Sequence, residues 1–412
     1  MICEILSVGT ELLMGQVANT DAQYLSRRLS ELGVTVFRHT VVGDNPDRVK
    51  EALKTALSRS DLVITTGGLG PTEDDLTKEM VAAHFGLDMR LHQPSMDALL
   101  ERMKRIHPDR VLSDNNLKQA YFPEGAIVMP NRRGTAPGCI VEAEGKAVAV
   151  LPGPPRELRD MFEQQLEPYI LARREMNLSS RFFRIFGVGE SNVETILLDL
   201  FHSQNPTLAL YCGAGEVTAR LTASGAPGED LAPLMDPVEA EIKRRLGDAV
   251  YAEGRDETMQ SAVLEKLLAR GETIALAESC TGGKLSAMLT DIPGASKALV
   301  AGYVTYSNEA KVRSLGVTRE VLAAHGAVSE ACARQMAEGA RSAAGSTWAL
   351  SVTGIAGPDG GTEEKPVGTV FIGIAGPDGA EVQRFQFLGD RSWIRTLSCQ
   401  HALNMLRLAL IP

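Results

Sequence analysis

The sequence predicts an α/β protein built from three parts, and three observations support this prediction. In the first and last thirds, strand-like apolar segments alternate with amphipathic helices of about 10–15 residues, a pattern typical of mainly parallel sheets. The middle part follows a β-α-β-β-α-β order, which favours a small α+β sandwich. The length of 412 residues exceeds what one hydrophobic core usually supports. We therefore expect domains at residues 1–170, 171–254 and 255–412.

The composition indicates a globular protein of a reducing compartment. Hydrophobic residues make up 44% and charged residues 23% of the chain, and no run of about 18 apolar residues predicts a membrane span. The six cysteines are scattered without a Cys-x-x-Cys pair, which argues against a zinc cluster or a disulfide framework. The N-terminus lacks a signal-type segment, so we expect a cytoplasmic protein. The net charge of −10 opposes a general nucleic-acid surface, and we expect no direct nucleic-acid or membrane partner.

In the first third, the predicted strand Leu62–Thr66 runs into a glycine-rich loop and then into a helix. Backbone N–H groups of such a loop can approach a phosphate, and the helix dipole adds to the attraction. The glycines we expect to bind phosphate are Gly67, Gly68 and Gly70. Three acids follow, at Glu73, Asp74 and Asp75. Carboxylates beside a phosphate repel it unless a divalent metal bridges them, although acids at this position can also simply favour the helix N-terminus.

The loops after the first two predicted strands reach the same edge of the expected sheet. Asp44 lies in the turn that follows the second strand. The loop after the first strand, Glu4–Val8, supplies further candidates for substrate binding, namely Thr10, Glu11, Asn19 and Asp21.

The Gly67–Asp75 loop and the Asp44 turn resemble the molybdopterin-binding fold of molybdenum-cofactor biosynthesis proteins. The segments Gly134–Gly138 and Leu151–Glu157 make this part similar to the N-terminal domain of the CinA (competence/damage-inducible) family. The resemblance implies hydrolysis of ADP-ribose at its pyrophosphate with a divalent metal. It points to Asp44 and Asp75 as the catalytic, metal-binding carboxylates. The second choices for the metal are Glu73 and Asp74.

The middle part is similar to the small KH-like domain of the same family. The acidic chain gives no independent support for RNA binding. We therefore expect this part to act as a spacer or as an oligomerisation domain, and we expect the protein to be a homodimer.

In the last third, the strand Thr273–Ala277 ends just before Ser279, and the strand Ala298–Thr305 is followed by Tyr306, Asn308 and Lys311. If the two strands are parallel, serine, tyrosine and lysine converge without a histidine. A lysine can take the proton of a serine when burial or nearby cations lower the pKa of its amine. Two alternatives remain. A Ser or Thr can simply cap the following helix, as Ser279 or Thr281, and Cys280 is a rival nucleophile without a histidine to activate it.

Two further segments supply candidates for binding an anion. The strand Trp348–Thr353 runs into the glycine-rich segment Gly354–Gly361, whose N–H groups can hold an oxyanion or a phosphate, or which can be a flexible hairpin. The candidates there are Thr353, Gly354, Ala356 and Gly357. Arg391 and Arg395 lie four residues apart on the last helix, where they can clamp a phosphate or form surface salt bridges.

Four segments of the last third are similar to the C-terminal CinA domain, which is the nicotinamide mononucleotide deamidase family. They are Ala277–Gly283, Tyr306–Lys311, Thr353–Gly361 and Lys365–Thr369. The resemblance implies hydrolysis of the carboxamide to nicotinate mononucleotide and ammonia, with no cofactor. We assign attack to Ser279, and proton transfer to Lys311 with Tyr306. We expect the 5′-phosphate to be bound by the two arginines or by the helix N-terminus at Thr281, Gly282 and Gly283. Asn308 is a further candidate for substrate binding nearby.

Two functional hypotheses follow. The first is a bifunctional enzyme of pyridine-nucleotide recycling, acting on nicotinamide mononucleotide and on ADP-ribose. The second is a non-catalytic regulatory protein, linked to competence or DNA damage, that binds a pterin and a nucleotide.

Overall fold

A computed structural model of the protein describes residues 1–106, 114–173 and 176–411. The chain forms two compact units, Met1–Ser179 with Ser224–Leu231, and Ser180–Ala223 with Ala232–Pro412. The predicted middle and last domains therefore share one compact unit.

The first unit alternates strands and helices, as the sequence predicts. Its strands are β1 (Ile2–Val8), β2 (Thr35–Val42), β3 (Leu62–Thr66), β4 (Met89–Leu91), β5 (Tyr121–Pro123), β6 (Ile127–Met129), β7 (Gly138–Ala143) and β8 (Lys146–Leu151). Its helices are α1 (Thr10–Leu13), α2 (Thr20–Glu31), α3 (Pro46–Leu57), α4 (Thr77–Phe85), α5 (Gln93–Ile106), α6 (Asp114–Leu117), α7 (Pro155–Met161) and α8 (Glu167–Leu171). A 3-10 turn covers Lys118–Ala120, and a π-helical segment joins α7 to α8.

A six-stranded sheet in the order β2-β1-β3-β8-β7-β6 forms the centre of this unit. The pairs β1–β2, β1–β3 and β3–β8 are parallel, whereas β7 pairs antiparallel with β6 and with β8. The parallel part has buried residues on both faces, since β3 is buried along its whole length. The predicted mainly parallel sheet is confirmed, and the loops after β1, β2 and β3 meet at one edge of it.

The second unit begins with the small α+β part. Its elements are β9 (Asn177–Phe186), α9 (Glu190–Ile196), β10 (Thr207–Cys212), β11 (Glu216–Gly225), α10 (Ala232–Leu246) and β12 (Val250–Glu253). The hairpin β10–β11 is antiparallel, and the sheet runs in the order β10-β11-β9-β12. This is the predicted β-α-β-β-α-β order.

The rest of the second unit is another α/β layer. Its strands are β13 (Ile274–Glu278), β14 (Leu299–Val304), β15 (Trp348–Gly354), β16 (Thr369–Gly376) and β17 (Gly379–Gln386). Its helices are α11 (Met259–Arg270), α12 (Lys284–Thr290), α13 (Asn308–Leu315), α14 (Arg319–His325), α15 (Glu330–Ala344) and α16 (Arg391–Ala409). The sheet order is β14-β13-β15-β16-β17, with β13 parallel to both β14 and β15.

Helix α11 packs beside α16 against this sheet. Thr258 and Ser261 form a reciprocal capping box at its start, and Gly271 ends it in the left-handed conformation with φ 64°. Val263, Leu264 and Leu267 are buried as the helical pattern predicts. The same apolar spacing in the sequence also predicts a buried Leu268, and this prediction is wrong, because Leu268 is 38% exposed at the border of the apolar face.

The described part of the chain contains no helix that is both long and apolar enough to cross a bilayer.

The contrast between two adjacent leucines of α11 gives a stability prediction. Leu267→Ala removes a side chain with no exposed surface and should lower the free energy of unfolding by about 2–5 kcal/mol. Leu268→Ala is the matched control and should cost well under half of that, since its side chain already contacts water. Urea unfolding followed by tryptophan fluorescence measures both, because Trp348 and Trp393 lie in the second unit. Equal destabilisation by the two changes would contradict this packing.

Candidate functional site

Three loops converge at one edge of the sheet in the C-terminal part. Because β13 pairs parallel with both neighbours, the chain segments after β13, β14 and β15 leave the sheet side by side. The first carries Ser279, the second leads into Lys311 on α13, and the third is the glycine-rich segment Gly354–Gly361. The predicted convergence holds for Ser279 and Lys311, whereas the side chain of Tyr306 points to Arg391 and does not join them.

Lys311 is buried next to Ser279. The Lys311 side chain is only 1% exposed, and its Nζ lies 3.1 Å from the Oγ of Ser279. The same nitrogen donates to the backbone carbonyls of Thr305 at 2.8 Å and Tyr306 at 3.4 Å. Burial lowers the pKa of Lys311 below its ordinary value, because removal from water disfavours the ammonium form. No carboxylate of the described residues contacts Nζ, and the pair has the arrangement of a serine nucleophile with an amine base.

Glu278 organises the turn that carries Ser279. Its fully buried carboxylate accepts hydrogen bonds from the backbone N–H groups of Gly283 (2.9 Å), Leu285 (3.0 Å) and Ser286 (2.8 Å), and from the Ser286 hydroxyl (2.6 Å). Sequence reasoning assigned no role to this residue. An acid at the end of a buried strand, a few residues before a helix, is the signal that could have revealed it.

This arrangement corrects two expectations about the start of α12. Thr281 does not cap the helix, because its buried hydroxyl has no hydrogen-bond partner. The helix N-terminus is also not open to a phosphate, since Gly282 N–H donates to Ser279 O and Gly283 N–H to Glu278. Ser279 is likewise not a cap, and its hydroxyl pairs with Lys311.

Two pairs of backbone N–H groups remain available near Ser279. Among the described residues, the N–H groups of Cys280 and Thr281 donate no hydrogen bond, and neither do those of Ala356 and Gly357. The N–H of the residue after a nucleophile is a common oxyanion donor. Cys280 itself is buried, which raises the pKa of its thiol to about 11 and disfavours a reactive thiolate.

The two arginines of α16 hold the loops around Ser279. Arg391 donates to Gly357 O at 2.8 Å and to the hydroxyl of Tyr306 at 3.2 Å. Arg395 donates to Thr281 O at 2.5 Å, while its buried Nε has no partner. The Tyr306 ring is 64% exposed and its hydroxyl contacts Arg391, so only the backbone carbonyl of Tyr306 touches Lys311.

Other predicted residues of this site have plainer surroundings. The Thr353 hydroxyl donates to Ala327 O at 2.8 Å and is turned away from the loop N–H groups. Asn308 is an exposed first-turn residue of α13, and Gly354 ends β15.

In the first unit, the predicted residues line one cavity of about 700 Å³. The sequence-predicted residues in its wall are Glu11, Asn19, Asp21, Asp44, Gly67, Gly68, Gly70, Asp74 and Asp75. The Gly134–Gly138 and Leu151–Glu157 segments also contribute, through Thr135, Ala136, Pro152, Gly153, Pro154, Pro155 and Glu157. Thr10 and Glu73 do not line the cavity. Thr10 instead fixes Asp44, because its N–H donates to Asp44 Oδ2 at 2.8 Å.

The glycine-rich loop is shaped for close approach. Gly67 has φ 91°, and a Cβ at this position would lie 2.3 Å from the carbonyl oxygen of Val8, so only glycine fits. Among the described residues, the N–H groups of Gly68, Leu69 and Gly70 donate no hydrogen bond. Of the glycines predicted to bind an anion, Gly68 and Gly70 keep this ability, whereas the N–H of Gly67 donates to Leu151 O at 3.1 Å, and Leu69 supplies a donor that was not predicted.

Asp44 and Asp75 are the half-buried carboxylates of the predicted pair. Asp75 Oδ2 accepts from the Thr72 N–H at 3.0 Å and from the Thr72 hydroxyl at 2.5 Å. Asp44 Oδ2 accepts from Thr10, so within the described part of the chain each carboxylate keeps its other oxygen without a protein donor. A hydrogen bond from Thr72 also lowers the pKa of the exposed Asp74.

The charged side chains that are described in the cavity wall are all acidic. Among the described residues, six acids and no lysine, arginine or histidine line it; the acids are Glu11, Asp21, Asp44, Asp74, Asp75 and Glu157. Nowhere in the described ranges do three or more acids, cysteines and histidines cluster closely enough to form a ready-made metal site. Sequence reasoning missed Gln119 in this wall, and no local pattern singles it out.

The role of Glu278 gives a prediction for this site. In Glu278→Gln, an amide group faces the N–H donors that now share a carboxylate. Its NH₂ group cannot accept their hydrogen bonds and its carbonyl is a weaker acceptor, so the change should lower the free energy of unfolding by about 1–3 kcal/mol. Glu309→Gln is the control, because Glu309 is exposed on α13, and it should change stability by less than about 0.5 kcal/mol. Urea unfolding monitored by tryptophan fluorescence compares the two. A Glu278→Gln protein as stable as the control would exclude the capping role.

Three protein-family models together match nearly the whole chain. Residues 256–410 match the family model described as "CinA C-terminal domain". Residues 4–172 match "Probable molybdopterin binding domain", and residues 180–252 match "Damage-inducible protein CinA KH domain".

Whole-length relatives agree with these matches. A "CinA-like protein" of Kosmotoga olearia is 47% identical over 413 residues, covering 100% of both chains, and one of Dictyoglomus thermophilum is 48% identical over 414 residues with the same coverage. The crystal structure of competence/damage inducible protein CihA from Agrobacterium tumefaciens is 40% identical over 37% of this chain and 93% of its own. Its TM-score of 0.36 is too low to support a conclusion about fold. The chain belongs to the CinA family of competence/damage-inducible proteins and carries a molybdopterin-binding-like domain at its N-terminal end.

Proposed function

We propose that the C-terminal part hydrolyses the carboxamide of nicotinamide mononucleotide to nicotinate mononucleotide and ammonia. The observation that carries this proposal is the buried amine of Lys311, 3.1 Å from the hydroxyl of Ser279. The contact with a serine hydroxyl distinguishes Lys311 from the buried Lys78, which among the described residues donates only to a backbone carbonyl, and burial lowers the pKa of the Lys311 amine, as a proton-accepting amine needs.

The contacts of Lys311 support the base role. Two of its hydrogen-bonding directions are used by the carbonyls of Thr305 and Tyr306. In the neutral amine, both N–H groups donate to these carbonyls, and the lone pair faces the Ser279 hydroxyl. Ser279 then attacks the carboxamide carbon while its proton passes to Lys311.

The remaining steps use groups on the neighbouring loops. The N–H groups of Cys280 and Thr281, with those of Ala356 and Gly357, are free to hold the oxyanion of the tetrahedral intermediate. Lys311 returns the proton to the leaving nitrogen, ammonia departs, and a water molecule hydrolyses the acyl-enzyme with the same base. Arg391 and Arg395 keep unused N–H groups after fixing Gly357 and Thr281, and we assign them to the 5′-phosphate.

Substitution of the two central residues tests this mechanism. Ser279→Ala should lower the release of ammonia from nicotinamide mononucleotide by about 10³-fold or more, and Lys311→Met by about 10²–10⁴-fold. Lys297→Met changes an exposed lysine of the same part and should leave turnover unchanged. Undiminished turnover in Ser279→Ala would exclude an acyl-enzyme, and no turnover in the unmodified protein would exclude the activity.

The pH profile is a further readout of the same experiment. Because the neutral amine is the active form and burial lowers the pKa of Lys311, kcat/KM should rise with pH and level off below the ordinary lysine value of about 10.4. An ascending limb at or above that value would contradict the role of Lys311 as base.

We propose that the N-terminal part hydrolyses ADP-ribose at its pyrophosphate with the help of a divalent metal. The donor set of the cavity supports this proposal. Six acids and no basic side chain line a space that also offers three free loop N–H groups, so a pyrophosphate fits only with a cation. Asp44 and Asp75, each with one oxygen free, would hold the metal together with phosphate oxygens and water. The metal would neutralise phosphate charge and polarise the scissile bond.

The metal dependence gives the next prediction. Asp44→Asn and Asp75→Asn should each lower ADP-ribose hydrolysis by about 10²-fold, and added Mg²⁺ should restore part of the loss because each variant keeps the other carboxylate. Glu73→Gln lies on the same loop but outside the cavity, and it should behave as the unmodified protein. Hydrolysis that continues undiminished after chelation of the metal would refute the proposal.

The second candidate function is a binding protein without turnover, in which the N-terminal cavity holds a pterin and the C-terminal site a nucleotide. The absence of a three-ligand metal cluster among the described residues favours it for the N-terminal cavity. The buried Lys311 favours catalysis at the other site.

A further inference from the structure

Asp21 and Gln119 are buried polar side chains without a partner in the wall of the N-terminal cavity. Asp21 is 9% exposed and Gln119 is 2% exposed, and both line the cavity. The described structure contains no hydrogen bond to either side chain, and Asp21 Oδ1 and Gln119 Oε1 are shielded from solvent. Buried polar groups in folded proteins are nearly always hydrogen-bonded. Asp21 and Gln119 therefore keep unmade hydrogen bonds at the cavity wall, which are left to water or to a bound molecule.

The other polar side chains of the wall differ in this respect. Asn19 caps α2 through Ala22 N–H and donates to the Ser7 hydroxyl. Glu157 accepts from Asn131 at 2.7 Å. Asp44 and Asp75 are held by Thr10 and Thr72, as described above. Their positions are explained by the fold, whereas those of Asp21 and Gln119 are not.

The turn that carries Gln119 is fixed from both sides. Lys118 donates to the backbone carbonyls of Thr72 and Asp75, the latter at 3.0 Å, and so ties the turn to the acidic loop. The buried Lys78 donates to the carbonyl of Gln119 at 2.8 Å, and its Nζ lies 4.3 Å from the centre of the Phe122 ring. The side-chain amide of Gln119 is thus presented on a rigid support, which is the arrangement expected of a recognition group.

The chemistry of the two side chains selects their ligand. A carboxylate accepts hydrogen bonds, and an amide both donates and accepts, so together they match neighbouring hydroxyl groups. Acidic side chains bind the hydroxyls of ribose in this way in nucleotide-binding folds. A second phosphate is the wrong ligand, because no basic side chain lines the cavity.

We propose that Asp21 and Gln119 form a subsite for the sugar hydroxyl groups of a phosphorylated sugar or nucleotide. The proposal rests on the proposed N-terminal function and names the part of the substrate that these residues recognise. Burial raises the pKa of Asp21 to about 6, against the opposing charge of Arg159, so the accepting carboxylate predominates at neutral pH. A pterin also offers neighbouring N–H donors, and the experiment below separates the two sources.

The test measures binding to the full-length protein by titration calorimetry at one fixed Mg²⁺ concentration. The probes are D-ribose 5-phosphate, 2-deoxy-D-ribose 5-phosphate, which lacks one hydroxyl, and 6-methylpterin, which has no sugar. We expect the unmodified protein to prefer the ribose compound by about tenfold or more. Asp21→Asn and Gln119→Met should each bring this ratio close to one, with the affinity for the deoxy compound within about twofold. Asp97→Asn, an exposed change outside the cavity, should keep the ratio.

Several outcomes would overturn the subsite. One is equal affinity of the unmodified protein for the two sugar phosphates, and another is no binding of ribose 5-phosphate at millimolar concentration. The third is that the variants lose the same amount of affinity for both sugar phosphates. Binding of 6-methylpterin that is lost in Asp21→Asn, without a sugar preference, would assign the pair to a pterin instead. A ribose preference without hydrolysis of ADP-ribose would retain the subsite and remove only the proposed reaction.

Discussion

Parallel pairing of neighbouring strands is the constraint on which both sites depend. Parallel strands need crossover helices, and their C-terminal ends therefore open on one edge of the sheet, where successive loops meet. In the second unit this edge brings Ser279, from the loop after β13, to Lys311, on the helix after β14. In the first unit the same rule gathers Glu11, Asp44 and Gly67 around one cavity. The two sites share a geometry while their chemistry is opposite, a buried amine in one and carboxylates in the other.

Burial determines the chemistry at each site. Lys311 is removed from water and has only neutral carbonyl and hydroxyl partners, so its burial lowers the pKa of the amine. Glu278 is equally buried, but its side-chain oxygens accept hydrogen bonds from the N–H groups at the start of α12. Lys311 and Glu278 lie at the same edge of the sheet, and their different surroundings give them different roles. Ser279 lies between them, on a turn that both residues help to fix.

Much of this structure could be predicted from the sequence, because the signals are local. Alternating apolar segments and glycine-rich turns located β3, β13 and most other elements within a few residues of their bounds. Residues placed at strand ends, such as Ser279 and Asp75, were found for the same reason. Lys118 and Gln119 could not be found, because their contacts lie more than 40 positions away in sequence, with Thr72 and Asp75 for Lys118 and with Lys78 for Gln119. The exposure of Leu268 escaped prediction as well, since the width of a buried helix face depends on its neighbours.

The assignment of the start of α12 failed for a related reason. A serine or threonine at a strand-to-helix turn is usually the cap, but here the strand's own last residue, Glu278, fills that position. Such a choice between caps is decided by the path of the chain through space, which local propensity does not describe.

Under the proposed chemistry, the carboxylate-lined cavity of the first unit would need a divalent cation and an anionic substrate at the same time. A wall of six acids repels a free anion, and a cation alone finds no complete set of protein ligands among the described residues. Under the proposed chemistry, either component alone leaves the cavity empty, and occupancy grows with the product of the two concentrations. The N-terminal site would then respond to the supply of free divalent ions as steeply as to the supply of its nucleotide.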